Sequence, residues 1–153
     1  DWLPKNLPSE KRTGIVHGDY SLTNVMIGKN DPNVIAILDW ELSTLGDPCA
    51  DFNYHCLQYI MNPKLADKDY CRNQGIPVID EYVKMYSEKI NVDLTEEWDL
   101  YSAYNLFKLA GILQGILGRV RDGTAAHENA AERASGVRNL SDKAWDLVKK
   151  NFL

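Results

Sequence analysis

Two short apolar runs on either side of a turn-forming segment constrain the fold of this chain more than any other feature. Runs 25–28 and 34–38 are rich in β-branched residues, and the segment between them is dense in Asn, Asp and Pro. This pattern predicts an antiparallel β-hairpin. Asn24 precedes the first run and Asp39 follows the second. Because antiparallel pairing brings those two ends together, we expect the side chains of Asn24 and Asp39 to lie close to each other.

A third polar residue, Asp19, stands five positions before Asn24. Transfer of a phosphoryl group to a hydroxyl calls for a carboxylate that receives the hydroxyl proton and for oxygen ligands that hold magnesium. We therefore predict Asp19 as the general base and Asn24 and Asp39 as the metal ligands. The His-x-Asp-x(4)-Asn pattern is weak alone, since most isolated matches are loop or capping residues. An aspartate directly after an apolar strand favours the catalytic interpretation.

The residues around Asp19 have structural interpretations. His17 is expected to lock its loop through a backbone hydrogen bond, and Gly18 permits a turn without a Cβ clash. Asp47, which precedes Pro48, is a predicted N-cap. Asp51 then falls in the first helical turn, where the helix dipole favours an anion. Its carboxylate has a second option, which is to turn inward and hold the backbone of the 17–19 loop.

Two arginines near the predicted end of a long helix form a separate candidate. Arg119 and Arg121 complement the helix dipole from solvent in the simpler interpretation. In the functional interpretation they form an anion-binding edge for a phosphate or carboxylate of the substrate.

The chain beyond Pro48 is predicted to be helical, so the expected fold class is α+β and mostly helical. Glycines spaced four and three residues apart in the longest helix indicate close packing against a neighbour. The predicted helices span 48–61, 77–90, about 95–120, 124–135 and 140–152, with a loop between the first two; the glycines are Gly111, Gly115 and Gly118.

Length and composition set outer bounds on the protein class. A chain of 153 residues with 44% hydrophobic and 25% charged residues is an ordinary globular domain. Its net charge of −5 argues against nucleic acid as the main partner. No apolar run approaches the roughly 20 residues of a membrane span. Three cysteines without C-x-x-C spacing indicate reduced thiols and an intracellular compartment.

These motifs together resemble the aminoglycoside phosphotransferase/choline kinase-like family, and most of all the kinase-like domain attached to some acyl-CoA dehydrogenases. The resemblance implies a protein-kinase-like C-terminal lobe that acts with Mg²⁺ and ATP on a small-molecule hydroxyl, with a hydroxyacyl thioester among the candidate acceptors. It assigns Asp19 as base, Asn24 and Asp39 as magnesium ligands and Asp51 as a loop-bracing residue. The matching motifs are His17-Gly18-Asp19, Asn24, Asp39-Trp40-Glu41 and Gly46-Asp47-Pro48-x-x-Asp51.

The resemblance covers one lobe of such an enzyme. The family's N-terminal lobe, with its glycine-containing phosphate loop and lysine, does not fit before His17. We therefore expect residues 1–153 to be a single C-terminal lobe, with motif loops and hairpin in 13–55 and a helical substrate subdomain in 56–153. The missing lobe is an expected partner, and the fragment is expected to self-associate and to be inactive alone. The alternative is a non-catalytic binding or scaffold module, but such a module would usually have lost one of the three site residues.

Overall fold

The computed structural model describes residues 2–6, 12–125 and 129–153. The chain divides into two compact units, one comprising Asn6–Trp98 and the other Asp1–Lys5 with Asp99–Leu153. Helices dominate the described residues, and the strands form two small antiparallel sheets. The α+β, mostly helical class predicted from the sequence is confirmed.

The predicted hairpin is present. Strand β2 (Val25–Ile27) pairs antiparallel with β3 (Val34–Ile37), with Val25 opposite Ile37 and a register shift between Met26 and Ile27. The backbone N–H of Gly28 donates to the carbonyl of Asn33 at 3.0 Å, which closes the connecting loop. Asn24 and Asp39 thus lie at the same end of the hairpin.

A second pair of strands flanks the hairpin along the sequence, one strand before it and one after it. Strand β1 (Gly14–Val16) pairs antiparallel with β4 (Thr44–Gly46), so that Ile15 lies opposite Leu45. Strand β1 contains the apolar residues Ile15 and Val16 just before His17, whereas β4 has no such apolar run and was not predicted. Strand β4 is only three residues long, and its one apolar side chain, Leu45, is exposed. Its sequence therefore lacks the alternation of apolar and polar residues that predicts a strand.

The helices differ from the prediction mainly at their ends. The expected helix 48–61 is interrupted at Leu57, and the expected loop after it contains two short helices. Side-chain caps explain these helices, because Asn62 accepts from the N–H of Lys64, and Asp67 from the N–H groups of Asp69 and Tyr70. The helices of the unit Asn6–Trp98 are α1 (Cys49–Cys56), α2 (Gln58–Met61), α3 (Pro63–Ala66), α4 (Lys68–Asn73) and α5 (Ile79–Ile90).

The last three helices are α6 (Trp98–Arg121), α7 (Ala130–Ala134) and α8 (Val137–Phe152). Helix α6 starts later than expected because Asp93 accepts from the N–H and hydroxyl of Thr95 in a local turn. Part of the helix predicted over 124–135 lies outside the described residues. No described helix has the length and apolar character that a membrane crossing requires.

Packing in the unit Asn6–Trp98 centres on Phe52 of α1. Its ring stacks on Tyr86 of α5 with centroids 3.8 Å apart and contacts Tyr82 edge-on. The three cysteines, Cys49, Cys56 and Cys71, are buried free thiols, and burial raises the pKa of Cys56 to about 12. They therefore act as small apolar groups of the core.

The glycines of α6 contradict the packing expectation. A Cβ built on Gly111, Gly115 or Gly118 would meet no described atom within 4 Å, apart from the helix's own backbone. Among the described residues, no neighbouring element packs closely against these glycines, so the prediction is wrong for this part of the chain. Glycine spacing alone does not distinguish a packed glycine face from an open one.

Candidate active site

The loop that follows β1, residues 17–21, is held from helix α1; we call it the motif loop. The backbone N–H groups of His17 and Gly18 both donate to the carboxylate of Asp51, with Gly18 N at 3.0 Å from Oδ1. Of the two orientations open to Asp51, the structure has the inward one. The N-cap position of α1 is Pro48 and not the predicted Asp47, but Asp47 Oδ1 accepts from the N–H of Cys49, the first residue of α1, at 2.9 Å.

Gly18 turns the motif loop through a conformation that side chains rarely adopt. Its φ is 86°, and a Cβ added there would lie 2.5 Å from the carbonyl oxygen of Leu42. The absence of a side chain is thus required for two reasons, backbone conformation and space.

The His17 imidazole joins the motif loop to the end of strand β3. Its Nε2 lies 2.8 Å from the carbonyl oxygen of Leu38, and its Nδ1 accepts from the N–H of Asp19 at 3.2 Å. Since Nδ1 accepts a hydrogen bond, Nε2 carries the proton and donates to Leu38. The ring is buried and lies 4.7 Å from the ring of Trp40. The His17 side chain therefore has a structural role, which is to hold the motif loop against the end of β3.

Asp19 and Asn24 are in direct contact. The Nδ2 of Asn24 donates to the backbone oxygen of Asp19 at 2.9 Å and lies 3.2 Å from its carboxylate Oδ2. Asn24 occupies the last position of a 3-10 turn, Leu22–Asn24, directly before β2. Both bonds use the amide nitrogen, so Oδ1 is the atom of Asn24 with the chemistry of a cation ligand.

Asp39 is placed by the peptide that precedes it. The N–H of Leu38 donates to the backbone oxygen of Asn24 at 2.8 Å, and the carbonyl of Leu38 accepts from His17. Asp39 then adopts a left-handed conformation, with φ 66° and ψ 57°, and its side chain is exposed. Hydrogen bonds through Leu38 therefore tie Asp39 to the motif loop and to Asn24.

One contact of Asp19 was not found by the sequence reasoning. The phenol of Tyr54, on α1, hydrogen-bonds to the Asp19 carboxylate. Burial, with the nearby charge and hydrogen bond of Asp19, raises the pKa of Tyr54 to about 12. The available signal was spacing, because Tyr54 stands three residues after Asp51 and so lies on the same helix face.

The two arginines belong to the other unit. Arg119 and Arg121 lie in the last turn of α6. Arg121 Nε is 2.9 Å from Asp122 Oδ1, and both side chains are exposed. Their role in substrate binding stays a prediction.

Within the described ranges, no group of three or more His, Cys, Asp and Glu side chains is arranged to hold a metal ion. The residues with the right oxygen chemistry for a cation at this site are Asn24 and Asp39.

Comparison with known proteins gives a consistent result. Residues 1–104 match the family model APH, described as the phosphotransferase enzyme family. The chain is 38% identical over 97% of its length to acyl-CoA dehydrogenase family member 10 of Mus musculus, and 33% identical over 99% to acyl-CoA dehydrogenase family member 11 of Homo sapiens. It spans only 14% and 20% of those two relatives.

A solved structure covers nearly the whole chain. A Ralstonia eutropha JMP134 protein assigned as an aminoglycoside phosphotransferase matches 99% of this chain with a TM-score of 0.87 and 40% identity, over 48% of its own length. Sequence and structure thus point to the same group of proteins, and this chain belongs to the phosphotransferase enzyme family.

Proposed function

We propose that this chain carries the catalytic loops of an ATP-dependent small-molecule O-phosphotransferase with the C-terminal lobe of a kinase-like fold. The observation that supports this most strongly is the contact between Asp19 and Asn24, 3.2 Å apart, with Asp39 tied to the same group through Leu38. Phosphorylation of a hydroxyl needs two carboxylates and one carboxamide. In this chain one carboxylate lies in the motif loop, and the other lies with the carboxamide at the end of the hairpin.

The donor set fits magnesium and its nucleotide. Asn24 Oδ1 and the Asp39 carboxylate would hold Mg²⁺, which prefers oxygen ligands and usually shares its shell with water and phosphate. When bound, Mg²⁺ neutralises charge that develops on the transferred phosphate. Asp39 is exposed at the hairpin end, and its carboxylate is therefore accessible to a nucleotide.

Asp19 would act on the acceptor. Its carboxylate orients the attacking hydroxyl and receives its proton as the oxygen bonds to the γ-phosphorus and the bond from that phosphorus to ADP breaks. His17 and Asp51 have no direct part in this step. They fix the motif loop so that Asp19 and Asn24 keep their relative position.

For the acceptor, we propose a hydroxyacyl thioester. The support is the association of the matching region with proteins named as acyl-CoA dehydrogenases. In a protein that also acts on acyl-CoA, the kinase-like region would encounter acyl chains. A hydroxyl on such a chain would be the acceptor of the phosphoryl group. Choline, aminoglycosides and sugars are the competing hydroxyl classes.

The proposal is tested by transfer of radiolabelled γ-phosphate from Mg-ATP to a panel containing a hydroxyacyl-CoA, choline, an aminoglycoside and a sugar. The assay uses the natural full-length product that carries this sequence. Asp19→Asn should lower turnover by about 10²–10⁴-fold while Mg-ATP binding stays near that of wild type. Asp39→Asn should weaken Mg-ATP binding as well, because it removes a negative oxygen ligand.

Asp31→Asn is the matched control, since Asp31 is an exposed aspartate in the turn of the same hairpin. It should leave both measurements unchanged. Wild-type turnover in Asp19→Asn would show that Asp19 is not the base, and transfer to choline but not to hydroxyacyl-CoA would replace the acceptor class alone.

A further inference from the structure

The Asp19 carboxylate is held by two donors from different elements. Asn24 Nδ2 approaches its Oδ2 from the start of the hairpin, at 3.2 Å. The Tyr54 phenol bonds to the same carboxylate from α1. The backbone N–H of Asp19 is fixed as well, through His17 Nδ1. Both the main chain and the side chain of the predicted base therefore have assigned partners.

Helix α1 contributes twice to this arrangement. Asp51 accepts the backbone N–H groups of His17 and Gly18, and Tyr54 bonds to the side chain one residue further along the loop. Residues three apart on a helix share a face. One face of α1 thus holds the motif loop through Asp51 and its reactive carboxylate through Tyr54.

We propose that Tyr54 is a positioning residue that orients the Asp19 carboxylate toward the acceptor hydroxyl, an inference that rests on the function proposed above. A free aspartate side chain rotates among several staggered conformers, and only some aim an oxygen at the acceptor. A phenol on a packed helix selects among them. Tyr54 itself touches neither nucleotide nor acceptor in this role, and Asp19 receives the proton.

The phenol is suited to this role because it keeps its proton. Burial raises the pKa of Tyr54 to about 12, and the adjacent Asp19 charge acts in the same direction. A group that stays protonated throughout the neutral range remains a hydrogen-bond donor there. It therefore holds the carboxylate without competing for the substrate proton.

The test compares Tyr54→Phe with Tyr59→Phe. Tyr59 is a matched control, because its hydroxyl donates to the carbonyl of Pro77 at 2.7 Å, away from the motif loop, and its pKa is also raised to about 12. The first readout is the side-chain carboxyl carbon NMR spectrum of the aspartate-labelled chain at neutral pH. The Asp19 resonance is assigned by its loss in Asp19→Asn. It should shift in Tyr54→Phe and stay in place in Tyr59→Phe.

The second readout is steady-state kinetics of the full-length product with Mg-ATP and a hydroxyacyl-CoA as the acceptor probe. Tyr54→Phe should lower kcat by about 10- to 100-fold, the scale of a misplaced reacting group, with the KM for Mg-ATP unchanged. Tyr59→Phe should keep wild-type kcat. Thermal melting of both variants checks that they are folded.

The outcomes separate the two proposals. An Asp19 resonance unaffected by Tyr54→Phe overturns the positioning role. So does wild-type kcat in Tyr54→Phe when the wild type transfers phosphate, and in that case the proposed function stands. A full-length wild-type protein that transfers nothing to the probe, or to the other hydroxyls of the panel, overturns the proposed function and with it the catalytic meaning of the Tyr54 contact.

Discussion

Among the individual residues of the site, Gly18 combines a φ of 86° with a carbonyl oxygen 2.5 Å from the position of a Cβ. Gly18→Ala therefore adds left-handed strain of about 1–2 kcal/mol and an overlap that typically costs about 1–3 kcal/mol more. We expect a clear loss of unfolding free energy in denaturant titration. Because the overlapping atom is backbone of Leu42, relief requires movement of the segment between β3 and β4.

Gly75→Ala is the control for that experiment. Gly75 has a similar φ of 68°, but a Cβ there would meet no described atom within 4 Å. The Gly75→Ala variant should therefore lose only the part of the unfolding free energy that comes from left-handed strain. Equal destabilisation of the two variants would show that the contact with Leu42 has no energetic weight.

At the scale of elements, helix α1 controls the motif loop through a single carboxylate. Asp51 accepts two backbone N–H groups, whereas the carboxamide of an asparagine offers one oxygen and one NH₂ group. In Asp51→Asn one of the two loop amides faces a donor, and a buried amide left without an acceptor costs about 1–3 kcal/mol. We expect that loss of unfolding free energy in denaturant titration, together with faster hydrogen exchange at His17 and Gly18.

Asp69→Asn is the control that separates the effect of the loop hydrogen bonds on stability from the effect of the helix dipole. Asp69 also lies in the first turn of its helix, α4, but its side chain is exposed. It should lose only the dipole contribution, about 0.3–1 kcal/mol. If both variants lose the same amount, the bonds from Asp51 to the loop do not stabilise the unit.

The elements that sequence predicted are those with a local signal. The hairpin β2–β3 has β-branched runs around a turn, and its ends carry Asn24 and Asp39, so both its existence and the neighbourhood of those residues followed from spacing. Strand β4 has no such signal, because it is defined only by pairing with β1, some 30 residues earlier. The contact between Tyr54 and Asp19 was not predicted for a similar reason. The two residues are distant in sequence, and a tyrosine on a helix face is usually part of the core.

For the whole molecule, the surface of the strand region predicts association. Ile15 and Leu45 face each other across β1 and β4 and are 68% and 75% exposed. Apolar side chains of the hairpin, including Ile35, are exposed as well. Exposed apolar side chains that lie next to each other, as Ile15 and Leu45 do, are typical of an interaction site. We therefore expect the 153-residue chain to self-associate with rising concentration in sedimentation velocity.

The double substitution Ile15→Thr with Leu45→Thr should shift the chain toward monomer. Threonine has the β-branched shape that strands favour, so the pairing of β1 with β4 is retained while apolar surface is removed. Met85→Gln in α5 is the control, because Met85 is an exposed apolar side chain outside the strand region and glutamine is a good helix former. A wild-type chain that stays monomeric at the highest concentration reached, or a Met85→Gln variant that dissociates as readily as the double variant, would contradict association through the β1–β4 surface.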